Sequence, residues 1–229
     1  MSKPKLLFFT GAGISAESGL QTFRDSKDGL WNNFKMEDVC TPSAWEKNPS
    51  LVLDFYNQRR RRLLEVIPNK GHELLAGLEE SHTVHIITQN VDDLHERAGS
   101  KNILHLHGEL LKVRSTQHEH LVYQWEKDLV DGDLCESGSQ LRPHIVWFGE
   151  AVPLLEKAIE ITASADILLI IGTSMQVYPA ASLINYIDAV TPVYFIDPKP
   201  SISSQDFNNL TIIPEKAVKG MEHFIELIS

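Results

Sequence analysis

Five short apolar runs that lack a polar residue at every second position constrain the fold of this sequence most. They span residues 5–10, 83–88, 144–148, 166–171 and 192–197. A strand that is apolar on both faces is typical of a parallel sheet covered on both sides by helices. The runs therefore predict buried parallel strands.

Helical stretches lie between the runs, at residues 71–81, 153–164, 179–189 and 219–228. Strands that alternate with helices predict βαβ units, and hence an α/β fold with a doubly wound parallel sheet. Two segments do not follow this alternation of strands and helices. Residues 31–68 contain a long amphipathic helix over 50–67, and residues 112–142 are polar and lack a clear period. We expect these two segments to form a smaller lobe.

Charge and cysteine content narrow the function classes. The formal net charge is −10, which disfavours binding to nucleic acid or to anionic membranes. Two distant cysteines, Cys40 and Cys135, make no disulfide framework, and no apolar run approaches the ~20 residues of a membrane span. We therefore expect a soluble cytoplasmic protein with no nucleic-acid or membrane partner; the sequence fixes no oligomeric state.

The loop after the first strand has the form Gly11-x-Gly13-x-x-Ala16. Glycines directly after a strand allow a backbone to approach a phosphate at the start of the following helix. The alternative is a glycine turn that serves chain geometry alone. A dehydrogenase would place an acidic residue at the end of the second strand, about 20 positions on. Here that zone is a polar loop, which disfavours a dehydrogenase. Asp197, after the run 192–197, is a better ribose ligand, although a turn residue before Pro198 explains it equally well.

Five segments give the sequence a more specific resemblance, at residues 11–24, 88–99, 106–110, 146–150 and 172–180. In this order they resemble the sirtuin family of NAD-dependent protein lysine deacylases. The resemblance implies a Rossmann-like NAD-binding domain formed by residues 1–30, 69–111 and 143–229. It also implies a smaller inserted lobe, formed by 31–68 and 112–142.

The resemblance also implies a reaction. The amide oxygen of an acyl-lysine attacks the anomeric carbon of the nicotinamide ribose, and nicotinamide leaves. The acyl group then moves to a ribose hydroxyl, which yields 2'-O-acyl-ADP-ribose and free lysine. His107 matches the family's catalytic histidine, and an imidazole suits base catalysis near neutral pH. His95 and His105 are better explained as packed or surface histidines.

NAD, consumed as co-substrate, is the cofactor implied. Asn90 is expected to share in catalysis, and Asn90 as a helix cap is compatible with that role. Arg24 could pair with the pyrophosphate, although alone it would be a solvated loop residue. The cofactor-binding residues implied are Gly11, Ala12, Gly13, Ser15, Phe23, Arg24, Trp31, Gln89, Asn90, Val91, Asp92, Gly172, Thr173, Ser174, Asp197, Pro198, Lys199 and Ala217.

The partners implied are acylated lysine side chains of proteins, in a tunnel walled by Val146, Phe148, Gly149 and Val177. Tyr56 and Arg59 are three apart, so they share one helix face, and together they make a receptor for a carboxylate. The alternative is a solvated arginine, which we assign to Arg60, Arg61 and Arg62. The Tyr-x-x-Arg pattern resembles the sirtuin branch that removes succinyl and malonyl groups, with acetyl as a second substrate.

The sequence departs from the family at the structural zinc that many sirtuins hold. The first Cys-x-x-Cys pair is replaced by residues 114–118, and the second is reduced to Cys135. His118, His120 and Cys135 offer at most three of the four ligands required. We therefore expect no zinc, and a lobe held by packing of Leu121, Tyr123, Trp125 and Leu134. Protein mono-ADP-ribosylation from the same pocket, or NAD-responsive binding without catalysis, are the alternative functions.

Overall fold

A six-stranded parallel sheet forms the centre of the computed structural model, which describes residues 3–21, 34–202 and 208–229. The strands lie in the order β3-β2-β1-β7-β8-β9, and each neighbouring pair is parallel. They are β1 (Lys5–Thr10), β2 (Thr83–Thr88), β3 (Ile103–His105), β7 (Ile167–Ile171), β8 (Val193–Ile196) and β9 (Leu210–Ile213).

Helices connect these strands and extend beyond them. The α-helices are α1 (Met36–Val39), α2 (Pro42–Lys47), α3 (Pro49–Glu65), α4 (Lys70–Gly77), α5 (Leu94–Arg97), α6 (Leu155–Ala163) and α7 (Ala217–Ile228). Single turns of 3₁₀-helix cover Ala16–Ser18 and Leu78–Glu80, and a longer one covers Ala180–Tyr186. Within the described ranges, no helix is both long enough and apolar enough to cross a bilayer.

The two faces of β1 explain why its sequence is apolar throughout. Leu7 and Phe9 pack under α6 and the 3₁₀-helix Ala180–Tyr186, whereas Leu6 and Phe8 pack under α4 and α7. Successive side chains of a strand point to opposite faces, so a strand covered on both sides needs apolar residues at every position. The predicted doubly wound, Rossmann-like α/β fold is thereby confirmed.

A second, antiparallel sheet was not predicted. It contains β4 (Gly108–Ser115), β5 (Val122–Gln124) and β6 (Leu141–Ile145), in the order β5-β4-β6. The sequence of 112–142 showed no clear period and did not locate these strands, because charged and polar residues such as Lys112, Arg114 and Arg142 interrupt their apolar pattern. The prediction of a parallel strand at 144–148 was wrong: β6 pairs with β4, and the chain then leaves the sheet.

The long helix α3 begins one residue before its predicted start and ends two residues before its predicted end. Asn48 accepts a hydrogen bond from the backbone N–H of Leu51 at 3.2 Å, Pro49 occupies the first turn, and the helix ends before Pro68. Its apolar face, which includes Phe55 and Leu63, is buried. This face of α3 packs against β4 and β6 of the antiparallel sheet.

The consecutive arginines on α3 differ in their exposure to solvent, which the sequence did not predict. Arg60 is fully buried, and its Nε donates to the carbonyl of Leu110 at 3.1 Å. The expectation that Arg60 is solvated was wrong, because its side chain faces β4. Arg61 and Arg62 are half exposed and pair with Asp128 and Glu65, as a solvated face requires.

Several predicted boundaries shift. The predicted helix 179–189 is the 3₁₀-helix Ala180–Tyr186, and α6 begins at Leu155 rather than at residue 153. Strands β3 and β9 were not predicted: they contain only three and four residues and lie at the two edges of the sheet. The division into two lobes at the stated boundaries stays a prediction.

Candidate active site

Strands β1 and β7 are neighbours at the centre of the sheet. After β1 the chain continues to β2 on one side of this pair, and after β7 it continues to β8 on the other side. In an open α/β sheet, ligands bind in the crevice at this switch point, beyond the carboxyl ends of the strands. The loops that follow the two strands touch: Gly13 N–H donates to the carbonyl of Gly172 at 2.8 Å. A β-carbon on Gly13 would lie 2.5 Å from the α-carbon of Gly172. The glycines therefore permit close packing of the two loops.

The helix expected after the glycine loop is a single 3₁₀ turn, Ala16–Ser18. A helix this short carries little dipole, because the dipole sums aligned peptide units. The predicted stabilisation of a pyrophosphate by a helix terminus is correspondingly weak here. Side chains and loop backbone have to supply the contacts instead.

A cleft of about 1060 Å³ opens at the switch point and continues towards α3 and the segment after β6. Every predicted site residue within the described ranges lines it. Phe23, Arg24 and Trp31 lie outside the described residues. The lining residues that were predicted are Gly11, Ala12, Gly13, Ser15, Tyr56, Arg59, Gln89, Asn90, Val91, Asp92, His107, Val146, Phe148, Gly149, Gly172, Thr173, Ser174, Val177, Asp197, Pro198, Lys199 and Ala217.

Ser15, Asn90 and Asp92 form a buried polar cluster at the end of β2. The Ser15 hydroxyl donates to Asp92 Oδ2 at 3.0 Å, and Asn90 Nδ2 donates to Ser15 Oγ at 3.2 Å. Burial raises the pKa of Asp92, and hydrogen bonds from Leu94 N–H and Ser15 offset only part of that rise. The alternative role of Asn90 as a helix cap was wrong, because α5 starts later and Asp92 accepts from Leu94 N–H.

His107 lies in the cleft with one ring nitrogen fixed. Its Nδ1 is 3.1 Å from the carbonyl oxygen of Gln89. Because a carbonyl can only accept, Nδ1 carries the hydrogen and Nε2 of the neutral ring keeps its lone pair. Burial lowers the pKa of His107, and the bond to Gln89 offsets part of the effect. The ring is therefore neutral near pH 7 and can take a proton at Nε2.

The neighbouring histidines are packed beneath the site. His95 is fully buried, with Nε2 3.1 Å from Thr10 Oγ1. His105 contacts Glu96 at 2.7 Å and the carbonyl of Asn90 at 3.0 Å. Burial lowers the pKa of His105, but these two acceptors outweigh burial and raise it. Both rings support the loop that carries Asn90.

His72 was missed by sequence reasoning. Its Nε2 lies 3.5 Å from Ser15 Oγ, and burial lowers its pKa to about 4. The backbone N–H of Asn69 donates to Nδ1, so the neutral ring offers its Nε2 hydrogen to Ser15. The only local signal is the capping box that Asn69 and His72 form at the start of α4.

Residues that follow three strands, β2, β7 and β8, lie at the far end of the cleft. Gln89 Nε2 donates to Thr173 Oγ1 at 2.9 Å, which links the loops after β2 and β7. Asp197 Oδ1 accepts from the backbone N–H of Lys199 at 2.7 Å. Asp197 therefore is a turn residue, as the alternative held, and at the same time lines the cleft.

Tyr56 and Arg59 of α3 also line the cleft. Tyr56 is 1% exposed, and its hydroxyl accepts from Trp147 Nε1 at 3.0 Å. Burial raises the pKa of Tyr56 well above its usual range, so the phenol is neutral. The Arg59 guanidinium lies 5.4 Å from the ring centre of Phe55 and 5.9 Å from that of Tyr56.

An ion cluster holds the tunnel segment 146–150. Glu150 accepts from Arg142 at 2.7 and 3.1 Å, from the backbone N–H of Trp147 at 2.7 Å, and from Arg114 at 3.4 Å. The Arg142 guanidinium stacks 3.3 Å from a ring centre of Trp147. Sequence reasoning missed this cluster, because the two arginines lie on separate strands.

The candidate zinc ligands His118, His120 and Cys135 do not converge on one point. The rings of His118 and His120 are 6.1 Å apart, and the Cys135 thiol bonds to the hydroxyls of Ser115 and Ser137. In the part of the chain that the structure describes, no three His, Cys, Asp or Glu side chains are placed to hold a metal.

Packing of the small lobe follows the prediction in part. Leu121, Tyr123 and Trp125 pack on a core of Val113, Leu129 and Leu141. The role given to Leu134 was wrong, since 54% of it is exposed. Leu129, which is fully buried, fills the core instead.

Comparison with known proteins supplies independent findings. The model of the Sir2 family matches residues 11–179. An NAD-dependent protein deacylase of Helicobacter pylori is 59% identical over 217 residues, which cover 95% of this chain and 94% of the relative. One from Bacteroides thetaiotaomicron is 49% identical over 229 residues, covering 97% of each chain.

Solved structures agree with these relatives. A complex of a Sir2 homologue with NAD superposes with a TM-score of 0.86 at 37% identity, covering 99% of this chain and 91% of its own. A mutant Sir2 homologue in complex with ADP-ribose superposes with a TM-score of 0.88 at 38% identity, covering 98% and 91%.

Proposed function

The chain belongs to the Sir2 family and is an NAD-dependent protein deacylase, and we propose that it favours succinyl- and malonyl-lysine, with acetyl-lysine as a second substrate. The single observation that carries the proposal is the placement of Tyr56 and Arg59 in the cleft that also contains His107.

The donor set of the cleft fits NAD. Amides of Gln89 and Asn90, the carboxylate of Asp92 and the hydroxyl of Thr173 converge at the ends of β2 and β7. Such groups match a ligand that presents sugar hydroxyls and a carboxamide. When bound, NAD supplies the electrophilic ribose carbon and the hydroxyl that accepts the acyl group.

The protein's own part in the chemistry is proton transfer and orientation. His107 Nε2 takes the proton of a hydroxyl brought to it, and the Gln89 carbonyl stabilises the imidazolium that forms. Asn90 is held by Gly11 and Ser15, so its amide is oriented before any ligand arrives. A water or a hydroxyl beside it is thereby held in a fixed position.

The proposed acyl preference follows from the charge that Arg59 places in the wall of the cleft. A guanidinium that lies against two aromatic rings is partly removed from water, where its interaction with a carboxylate is strong. The neutral Tyr56 phenol supplies a second donor. An acetyl group offers no partner to either, whereas a succinyl or malonyl carboxylate offers one to both.

The test measures kcat/KM for acetyl, malonyl and succinyl peptides in wild type and in Arg59→Met. Loss of a charge-assisted contact predicts a fall in succinyl kcat/KM on the order of thirty- to a hundredfold. Acetyl kcat/KM should change by no more than about threefold, the effect of a weak neutral contact. Arg61→Met is the matched control, because Arg61 is half exposed and pairs with Asp128.

Equal losses on all three peptides in Arg59→Met would contradict the proposal. Product analysis covers the alternative activity: deacylation releases nicotinamide and acyl-ADP-ribose together. Label from NAD that stays on protein would instead indicate mono-ADP-ribosyl transfer.

A further inference from the structure

A chain of three side chains closes the wall of the cleft beside Arg59. Trp147 Nε1 donates to the Tyr56 hydroxyl at 3.0 Å, and the hydroxyl donates to Cys40 Sγ at 3.4 Å. All three residues are at least nine-tenths buried, and all three line the cleft. Neither Cys40 nor Trp147 was selected from the sequence as a site residue.

The direction of the chain is fixed by chemistry. An indole N–H can only donate, so the Tyr56 oxygen accepts from Trp147 and its single proton points to the sulfur. Burial raises the pKa of the Cys40 thiol, so the sulfur is neutral and does not compete with a substrate carboxylate for Arg59. A thiol sulfur is a weak acceptor, which leaves the phenolic proton weakly held.

The sulfur is also held in place by the backbone. Cys40 N–H donates to the Met36 carbonyl at 2.9 Å, and Phe148 N–H donates to the Cys40 carbonyl at 3.0 Å. Cys40 is therefore tied both to α1 and to the tunnel segment 146–150. These two bonds fix the backbone from which the Cys40 side chain reaches Tyr56.

We propose that Cys40 is a specificity-determining residue: its sulfur keeps the Tyr56 proton engaged through a weak bond that an acyl carboxylate displaces. The inference rests on the proposed preference for acidic acyl groups, because only such a group competes for that proton. A strong acceptor at position 40 would hold the proton against the substrate. An apolar side chain would leave it available.

Size is the rival explanation, since residue 40 also sets the width of the cleft. The two explanations predict opposite signs for two substitutions. Serine is smaller than cysteine but is a stronger acceptor, and valine is larger but accepts nothing. If width governs selectivity, Cys40→Ser should favour the longer succinyl group and Cys40→Val should disfavour it.

The experiment measures the ratio of succinyl to acetyl kcat/KM in Cys40→Ser, Cys40→Val and wild type, each alone and combined with Tyr56→Phe. We expect Cys40→Ser to lower the ratio about fivefold, mainly through the KM for succinyl peptide, as exchange of one hydrogen-bond partner allows. Cys40→Val should leave the ratio unchanged or raise it. In the Tyr56→Phe background, which lacks the phenolic proton, both substitutions should lose their effect on the ratio.

A ratio that follows side-chain size, or that changes equally in the Tyr56→Phe background, would overturn the inference. The two substitutions are independent tests, so one suffices if the other variant does not fold. Arg59→Met, measured alongside, reports on the proposed function. If it lowers the ratio while the Cys40 series follows size, only the inference on Cys40 fails. If the ratio of succinyl to acetyl kcat/KM is the same in wild type and in Arg59→Met, both the proposed function and the inference on Cys40 fail.

Discussion

Replacing Glu150 with glutamine removes the charge that holds the tunnel segment. The carboxylate serves Arg142, Arg114 and the backbone N–H of Trp147, and the two arginine side chains are only 11% and 10% exposed. Glutamine keeps the size of the side chain but leaves two guanidinium groups without their carboxylate. The substitution therefore isolates the charge.

The expected cost follows from burial. Removing one partner of a buried ion pair typically costs about 3–5 kcal/mol. Because 20% of the Glu150 side chain is exposed, we place the loss of unfolding free energy at the low end, about 3 kcal/mol. For a chain of this length that corresponds to a fall in Tm of roughly 6–12 °C.

The cost also depends on pH. Burial pushes the pKa of Glu150 up, but hydrogen bonds from Arg142 and Trp147 and the charges of both arginines outweigh burial and hold it below its usual range. A carboxyl whose pKa is lower in the folded state stabilises the protein above its unfolded pKa and loses this effect as the pH falls through the folded value. The difference between wild type and Glu150→Gln should therefore shrink below about pH 4.

Urea unfolding and thermal melts at pH 7 and in acid measure both effects. Glu222→Gln is the matched control, because Glu222 is exposed on α7. The variant should also lose kcat/KM for acyl peptide, since Trp147 and its bond to Tyr56 depend on this segment. An unfolding free energy within about 1 kcal/mol of wild type, smaller than a typical buried-pair effect, would show that the Glu150 charge does not stabilise this segment.

Three further predictions test other parts of the site. Gly13→Ala places a β-carbon against Gly172, so it should lower the unfolding free energy measured in urea by about 1–3 kcal/mol and weaken NAD binding. Gly77→Ala is the control, because open space surrounds Gly77, and it should have neither effect. Because burial lowers the pKa of His107, its neutral form persists to lower pH, and the acid limb of kcat/KM should have its midpoint below about pH 6.5; a midpoint above that would contradict this. Dialysis against a chelator should leave Tm and turnover unchanged, since Cys135 bonds to two serines; stoichiometric zinc in elemental analysis would overturn this expectation.

The parallel sheet was predictable because its strands are buried on both faces. Phe8 and Phe9 lie on opposite faces of β1 and are both buried, so the local sequence alone carries the signal. The loops after such strands line the cleft, which explains why Gly11, Gln89 and Thr173 could be predicted from the sequence as cleft residues.

Residues that act through tertiary contacts could not be found in this way. Arg60 sits in a basic run and resembles a solvated residue, yet its helix face turns towards β4. Cys40, Tyr56 and Trp147 belong to separate parts of the chain, and they meet only when α3 packs against the segment after β6. Glu150 meets Arg114 and Arg142 only because β4 pairs with β6. That segment was itself misassigned, because an apolar run of five residues fits either a buried strand or a tunnel wall.

In the proposed reaction, the neutral imidazole of His107 accepts a proton during acyl transfer from lysine to NAD. The most direct measurement is deacylation of an acyl peptide by His107→Asn, with NAD binding measured on the same sample. If His107 is the general base, deacylation should fall on the order of a hundred- to ten-thousandfold, the usual contribution of such a base, with NAD affinity largely retained. Deacylation at the wild-type rate in a variant that binds NAD normally would contradict it.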